Sequence, residues 1–220
     1  MTTVAGPHRK RRAYAARVPA AQRRTELLDA ALHLVVTAGH SAVTMDGVAE
    51  QAGVTKPVVY GVFSGRADLL DALLRREQEQ ALAQLAAILP DPLAPPAGAG
   101  RGGADPGELL ARVLADFLHA VRRTPDRWHC VVMPMPDLPA EFHAAREQAR
   151  ALTLARAEEM ARRFLSATGA SPELGADIVA HTVVTLFEMA ARLVLTDPDR
   201  FDPDRFAAAL RAAVALTRRG

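Results

Sequence analysis

Few side chains in this 220-residue chain have the types and spacing that do chemistry. His119, His129, Cys130 and His143 carry the imidazole and thiol donors that suit zinc or copper. Only His129 and Cys130 are close in sequence, and adjacent side chains diverge on a helix. The same pair, or a histidine with a carboxylate, is the candidate for nucleophilic or acid–base catalysis. No glycine-rich phosphate loop, metal-binding helix motif or nucleophile elbow accompanies it. The expectation is therefore no catalytic residue, no metal and no cofactor. A redox switch at Cys130 stands as a minor alternative. One cysteine cannot form an intramolecular disulfide and fits a reducing compartment, so a cytoplasmic location is expected.

Charge gives a stronger signal. The net charge is only +2, but residues 1–24 hold Arg9, Lys10, Arg11, Arg12, Arg17, Arg23 and Arg24 and no acid. Such a segment is either a solvated tail or an arm that follows a phosphate backbone or enters a minor groove. Behind it, Thr44 to Phe63 reads as two short helices separated by a glycine-containing turn, the layout of a helix-turn-helix. Ala49 keeps a small side chain where the helices cross, Val48, Val54 and Val59 fill the little core, and Gly53 makes the turn. The outer face of the second helix is then free for a DNA major groove. Lys56 can reach guanine O6 or N7, Pro57 and Val58 can meet a thymine methyl group, and Arg66 stands near a helix N-terminus beside phosphates. Taken singly, Lys56 reads as a solvated helix start and Tyr60 as a partly buried ring; the motif around them favours DNA contact.

The elements that must position these residues are all helices. Ala, Leu and Arg dominate and aromatic residues are scarce, which favours helix over strand. Leu28, Ala31, Leu32 and Val35 recur at helical spacing in a first helix from Ala21 to Ala38, which Gly39 should close with a left-handed cap. Thr44 should cap a second helix, Met45 to Ala52. Thr55 should cap a third, with Pro57 in its first turn and Val59 and Phe63 on one buried face. From Ser64 to Leu89 a longer amphipathic helix connects head and body. Pro90 to Asp105 reads as a loop. Asp105-Pro106, Thr124-Pro125, Ser171-Pro172 and Asp202-Pro203 each set a capping side chain before a first-turn proline, and another helix should run from about Pro139 to Ala167. The predicted fold class is all-α with about nine helices. It divides into a basic arm at 1–19, a helix-turn-helix domain at 20–66, and a ligand-binding and dimerisation body at 67–220 with a flexible loop at 90–104. No window approaches the uninterrupted apolar length of a membrane span, so no membrane association is expected.

The segment RRTELLDAALHLVVTAGHSAVTMDGVAEQAGVTKPVVYGVFSGRADLL resembles the DNA-binding domain of the TetR family of transcriptional regulators along its whole length. The resemblance rests on Arg24, Leu28, Ala30-Ala31, Gly39, Thr44, Val48-Ala49, the Ala52-Gly53-Val54-Thr55 turn, Tyr60, Phe63 and Leu69. It implies a homodimer whose two recognition helices read a palindromic operator, most often as a repressor that a small-molecule effector releases. It also implies that Thr44, Thr55 and Tyr60 touch phosphates, that Lys56, Pro57 and Val58 face base edges, and that Arg66 is a further phosphate contact. Two positions depart from the family pattern. Gly61 weakens the third helix, and Val62 replaces a histidine or tyrosine that often contacts the backbone, so that contact is not carried over.

For the body, side-chain size marks Phe117, Trp128, Met133, Met135, Phe142, Phe164, His181, Phe187 and Met189 as pocket candidates, because large, soft side chains line apolar ligand sites. Taken singly, each reads as a core residue before a pocket residue. The family layout implies a dimer interface built from Pro172–Leu195 and Pro203–Arg218, with Phe206, Leu210 and Val214 on the second segment; the alternative is that these three pack on their own body. Two other functions compete: a helical protein that coats DNA without sequence preference, and a helical enzyme.

Overall fold

The computed structural model describes residues 19–89, 106–134, 140–168 and 173–217. The basic stretch before Arg17 and the loop expected at 90–104 lie outside them. Among the described residues there are nine α-helices and no strand: α1 (Ala20–Ala38), α2 (Met45–Gln51), α3 (Lys56–Tyr60), α4 (Arg66–Ile88), α5 (Pro106–Arg123), α6 (Pro125–Val132), α7 (Ala140–Thr168), α8 (Ala176–Thr196) and α9 (Pro203–Thr217).

The head is built on α1, whose Leu27, Leu28, Ala31 and Val35 are buried at the predicted spacing, with Leu32 partly so. Its first carboxyl-terminal turn differs from expectation. Gly39 has a positive φ of 80°, but its ψ of 162° lies far from a left-handed cap, and the chain continues into a 3-10 turn at His40–Ala42. α2 begins as predicted: Thr44 is extended, and its hydroxyl accepts the Gly47 amide at 2.9 Å. Gly53 carries φ 64°, a conformation that side chains with a Cβ rarely adopt, and so turns the chain between α2 and α3. Val48, Val59 and Phe63 are fully or almost fully buried beneath this corner, while Val54 is partly so.

α4 belongs to both halves of the molecule. Leu69, Leu70, Leu73 and Leu74 complete the head core, whereas Ala81 and Leu85 pack in the body, so the head core runs past residue 66. The second core gathers Leu114, Phe117 and Leu118 of α5, Trp128 of α6, and Ala190, Ala191 and Val194 of α8. Phe117 meets Trp128 edge-on, with ring centroids 4.9 Å apart, and Phe187 at 5.2 Å. α9 lies close against α5 because Gly107 has no side chain: a Cβ there would stand 2.5 Å from Val214 Cγ1.

Three helix starts correct the expected capping. Thr124 makes no cap bond; its hydroxyl instead bonds the Ala120 carbonyl and the Gln84 amide. Thr55 likewise makes no side-chain cap bond. α8 begins at Ala176, behind Gly175, rather than at Pro172, which is outside the described residues. Asp202 does cap α9, accepting the Asp204 amide at 2.9 Å.

The joint between head and body is ionic. Glu77 of α4 is fully buried, yet its carboxylate accepts from Arg76 at 2.6 Å and Arg127 at 3.1 Å. Arg76 also reaches Asp29 of α1 at 2.7 Å. A buried carboxylate tolerates removal from water only with such partners. α1, α4 and α6 are thus tied at one point. α6 itself straddles the joint, because Cys130 packs in the head core while Trp128 and Val132 pack in the body core.

Candidate functional site

α3 has five residues and presents most of them to solvent. Thr55, Lys56 and Pro57 are exposed, Val58 is 37% and Tyr60 50% exposed, and only Val59 is buried. The helix stops at Tyr60 with Gly61 behind it, the glycine expected to weaken it, so Phe63 lies beyond its end. The turn and the buried valines therefore hold a small polar and apolar surface outward. It has the dimensions of a recognition helix, whose first residues enter a groove.

Lys56 is not a bare cation. Its Nζ lies 2.9 Å from Asp46 Oδ2, and that hydrogen bond raises the lysine above its ordinary pKa. Arg66 is committed further. Its Nε donates to the Val43 carbonyl at 2.8 Å and its Nη2 to the His40 carbonyl at 3.0 Å, so the side chain clamps the 3-10 turn to the start of α4. Sequence reasoning missed this bracing role, because nothing local announces a bond across more than twenty residues. It named Arg24 but not its partner: the guanidinium lies 4.6 Å from the centre of the Phe63 ring.

The body contains a partly open cavity of about 910 Å³ bounded mainly by α4, α5, α6, α7 and α8. Of the candidates read from side-chain size, Phe117, Trp128, Phe164 and Phe187 line it. Met133 and His181 do not. Met133 ends α6, and His181 is exposed, with Nδ1 2.9 Å from the Asp177 carbonyl one helical turn back. Met189 is 45% exposed on the far side of α8. The side chain of Phe142, and Met135 altogether, lie outside the described residues.

What size-based reasoning overlooked is the polar part of the wall. Arg146 and Arg150 of α7 line the cavity with Glu188 and Arg192 of α8. Arg150 pairs with Glu188 at 2.9 Å. Arg146 Nη2 donates to the carbonyls of both Val131 and Met133 at 2.9 Å, and Arg192 Nε donates to that of Val132 at 2.9 Å. Two arginines thus hold the end of α6, where cations complement the exposed carbonyls. The spacing of Arg146 and Arg150, one turn apart on a helix of low amphipathicity, was the available signal.

Phe206, Leu210 and Val214 do not form an outward face. Phe206 stacks on Phe201 with centroids 6.0 Å apart, Phe206 and Leu210 pack on the body core, and Val214 abuts Gly107. On α8 and α9 the exposed large apolar residues are Ile178, Met189 and Leu216; Leu152 of α7 and Leu174 are exposed as well. α8 is long and apolar enough to cross a bilayer by length and composition, with a mean hydropathy of 1.7, although here it packs on α5, α6 and α7. Among the described residues no group of three or more His, Cys, Asp or Glu is placed to hold a metal. His119 pairs with Asp204 at 3.2 Å, and Cys130 is buried with its thiol pushed up to about 12 by desolvation.

Comparison with known proteins agrees with this geometry. The family model for bacterial regulatory proteins of the tetR family matches residues 27–73. The transcriptional activator FasR of Mycolicibacterium smegmatis is 45% identical over 60 residues, a match that spans 27% of this chain and only 27% of that protein. The fold extends the likeness over the body. A TetR-like transcriptional regulator from Rhodococcus sp. RHA1 superposes with a TM-score of 0.67 at 22% identity, covering 93% of this chain and 100% of that one. FadR of Bacillus subtilis, solved in complex with stearoyl-CoA, gives 0.64 at 13% identity over 86% and 95%. The N-terminal helix-turn-helix segment is thus similar to that of the tetR family of bacterial regulatory proteins.

Proposed function

We propose that the chain is a cytoplasmic, homodimeric transcriptional regulator, without catalytic activity or membrane attachment. Two copies of α3 would enter successive major grooves of a palindromic operator as a repressor, and a small apolar or amphipathic effector in the body cavity would release it. Lys56, Pro57 and Val58 face the bases in this reading, while Thr44, Thr55 and Tyr60 meet phosphates. Lys56 must exchange Asp46 for its base. Arg66 contributes to phosphate binding through what its two carbonyl bonds leave over. The outward residues Ile178, Met189 and Leu216 are the surface on which a second copy would pack, in place of Phe206, Leu210 and Val214.

The observation that carries the proposal is α6, whose Trp128 lines the cavity and whose Cys130 sits in the head core. A ligand that prefers one position of α6 would shift the population of head orientations by its differential affinity for the two states.

Selection of bound duplexes from a random pool, at near-physiological salt, tests the regulator directly. A palindromic motif with half-sites about one or more helical turns apart is expected. Binding without sequence preference would replace the proposal with DNA coating, and turnover of a substrate without salt-sensitive DNA binding would replace it with an enzyme.

A further inference from the structure

The cavity has two unlike ends. α7 has 29 residues, about 43 Å of helix, whereas the seven residues between Thr168 and Ala176 span at most about 25 Å. The packed pair α7 and α8 must therefore run antiparallel, in agreement with the Arg150–Glu188 contact. Toward the start of α7 and the end of α8, the wall carries Arg146, Arg150 and Arg192 with Glu147 and Glu188, and Arg156 follows just past the middle of α7. Toward the other end it is apolar, with Ala157, Met160, Ala161 and Phe164 facing Val179 and Val183.

At the charged end three arginines, Arg146, Arg150 and Arg192, face two glutamates, Glu147 and Glu188. Arg150 is neutralised by Glu188, but the bonds recorded for Arg146 and Arg192 go to neutral carbonyls of three consecutive residues, Val131, Val132 and Met133. Their guanidiniums therefore converge on one short segment at the cavity wall. Burial disfavours the charged form of Arg146 and lowers its pKa from the ordinary arginine value. Positive charge gathered beside an apolar chamber is stabilised by an anion, which guanidinium forks bind with short, directional hydrogen bonds.

We propose that the cavity binds an elongated anionic amphiphile, with its carboxylate or phosphate held by Arg146 and Arg192 at the end of α6 and its hydrocarbon chain between the apolar halves of α7 and α8. This rests on reading the cavity as the effector site. It adds a consequence, because an anion that draws these guanidiniums competes with the α6 carbonyls they now hold.

Trp128 is the chain's single tryptophan and lines the cavity, so its emission reports occupancy in the intact chain. Lauric acid, dodecyl phosphate, methyl laurate, dodecanol and dodecylamine would be titrated in turn, with the thermal midpoint as a second readout. One of the two anions should bind at least about tenfold more tightly than methyl laurate or dodecanol, the worth of one charge-assisted contact; which anion does so decides between carboxylate and phosphate. Replacing both arginines, as Arg146→Met with Arg192→Met, should bring that preference near unity while dodecanol still binds. Should that variant not fold, added salt on the wild-type chain should weaken the anion and not the alcohol. Dodecanol or dodecylamine binding as tightly as the anions would overturn the proposal. So would five compounds that leave both readouts unchanged, and a palindrome from duplex selection would then leave the regulator standing. Anion preference without operator selection would keep the site and remove the regulator.

Discussion

The head and the body solve opposite packing problems with the same element. In the head, α1 to α3 and the start of α4 close around valines, leucines and Phe63 until Val43, Val48 and Val59 have no exposure. In the body, longer helices leave about 910 Å³ unfilled and place arginines on the wall of that space. Dense packing in the head holds α3 at one angle to α2. The open body forgoes contacts that close packing would supply, and it retains room for a ligand.

Truncating the same residue type in the two regions should expose this contrast most strongly. Phe63→Ala, in the head, should cost about 4 kcal/mol, because a closed core cannot refill the space. Phe187→Ala, on the cavity wall, should cost only about 1–2 kcal/mol, since part of its surface already borders empty volume. Chemical denaturation of the two variants checks the pair, and equal losses would erase the distinction. The joint comes next. Arg127→Met leaves the buried Glu77 with Arg76 as its remaining cation, and should destabilise by about 3 kcal/mol. Glu77→Leu, which removes the buried charge itself, should cost clearly less. A calorimetric trace that splits into two transitions in Arg127→Met would show that the network holds the halves together.

Within the head, the two cations of the proposed DNA-binding surface should separate. Lys56→Ala should leave stability within about 0.5 kcal/mol of wild type, and should relax preference at one operator position by about 1–3 kcal/mol. Arg66→Met should lower stability by about 1–3 kcal/mol, since two carbonyls lose their donor. It should also weaken binding to every sequence alike. Binding assays on operator variants, paired with thermal melts, distinguish the two.

The smallest effect concerns pH. The Cys130 thiol is raised from an ordinary 9.0 to about 12 by burial first and by Glu77 second. An unfolded chain therefore ionises its thiol before the folded one does. The stabilisation from the neutral thiol is complete below about pH 9 and is lost as pH climbs toward 12. Urea midpoints should fall across that window less steeply in Cys130→Ala, and at neutral pH iodoacetamide should alkylate the native protein far more slowly than the unfolded chain.

How far each region could be read ahead of its structure follows from the range of the forces involved. Helix α2, its Thr44 cap, the Gly53 turn and the buried Val48 and Val59 are local consequences of residue type and spacing, and they appear where the pattern puts them. The proline-marked starts of α5, α6 and α9 are local in the same sense. Side-chain partners are another matter. Thr55 and Thr124 have good capping residues' chemistry, but one makes no cap bond and the other turns to Gln84 on α4. Phe206, Leu210 and Val214 share a stripe that fits an interface or a core equally well, and only the approach of α9 to α5 through Gly107 turned it inward.

The sequence alone determined an all-helical chain, the helix-turn-helix and the outward residues of α3, because hydrogen bonds within a turn or two and a short hydrophobic period decide those features. Tertiary structure alone decided that Arg66 braces the head, that Glu77 joins α1, α4 and α6, and that Arg146 and Arg192 meet at the end of α6. Each of these depends on groups far apart in the chain whose attraction acts only after packing has brought them within a few ångströms and excluded the water that would otherwise solvate them.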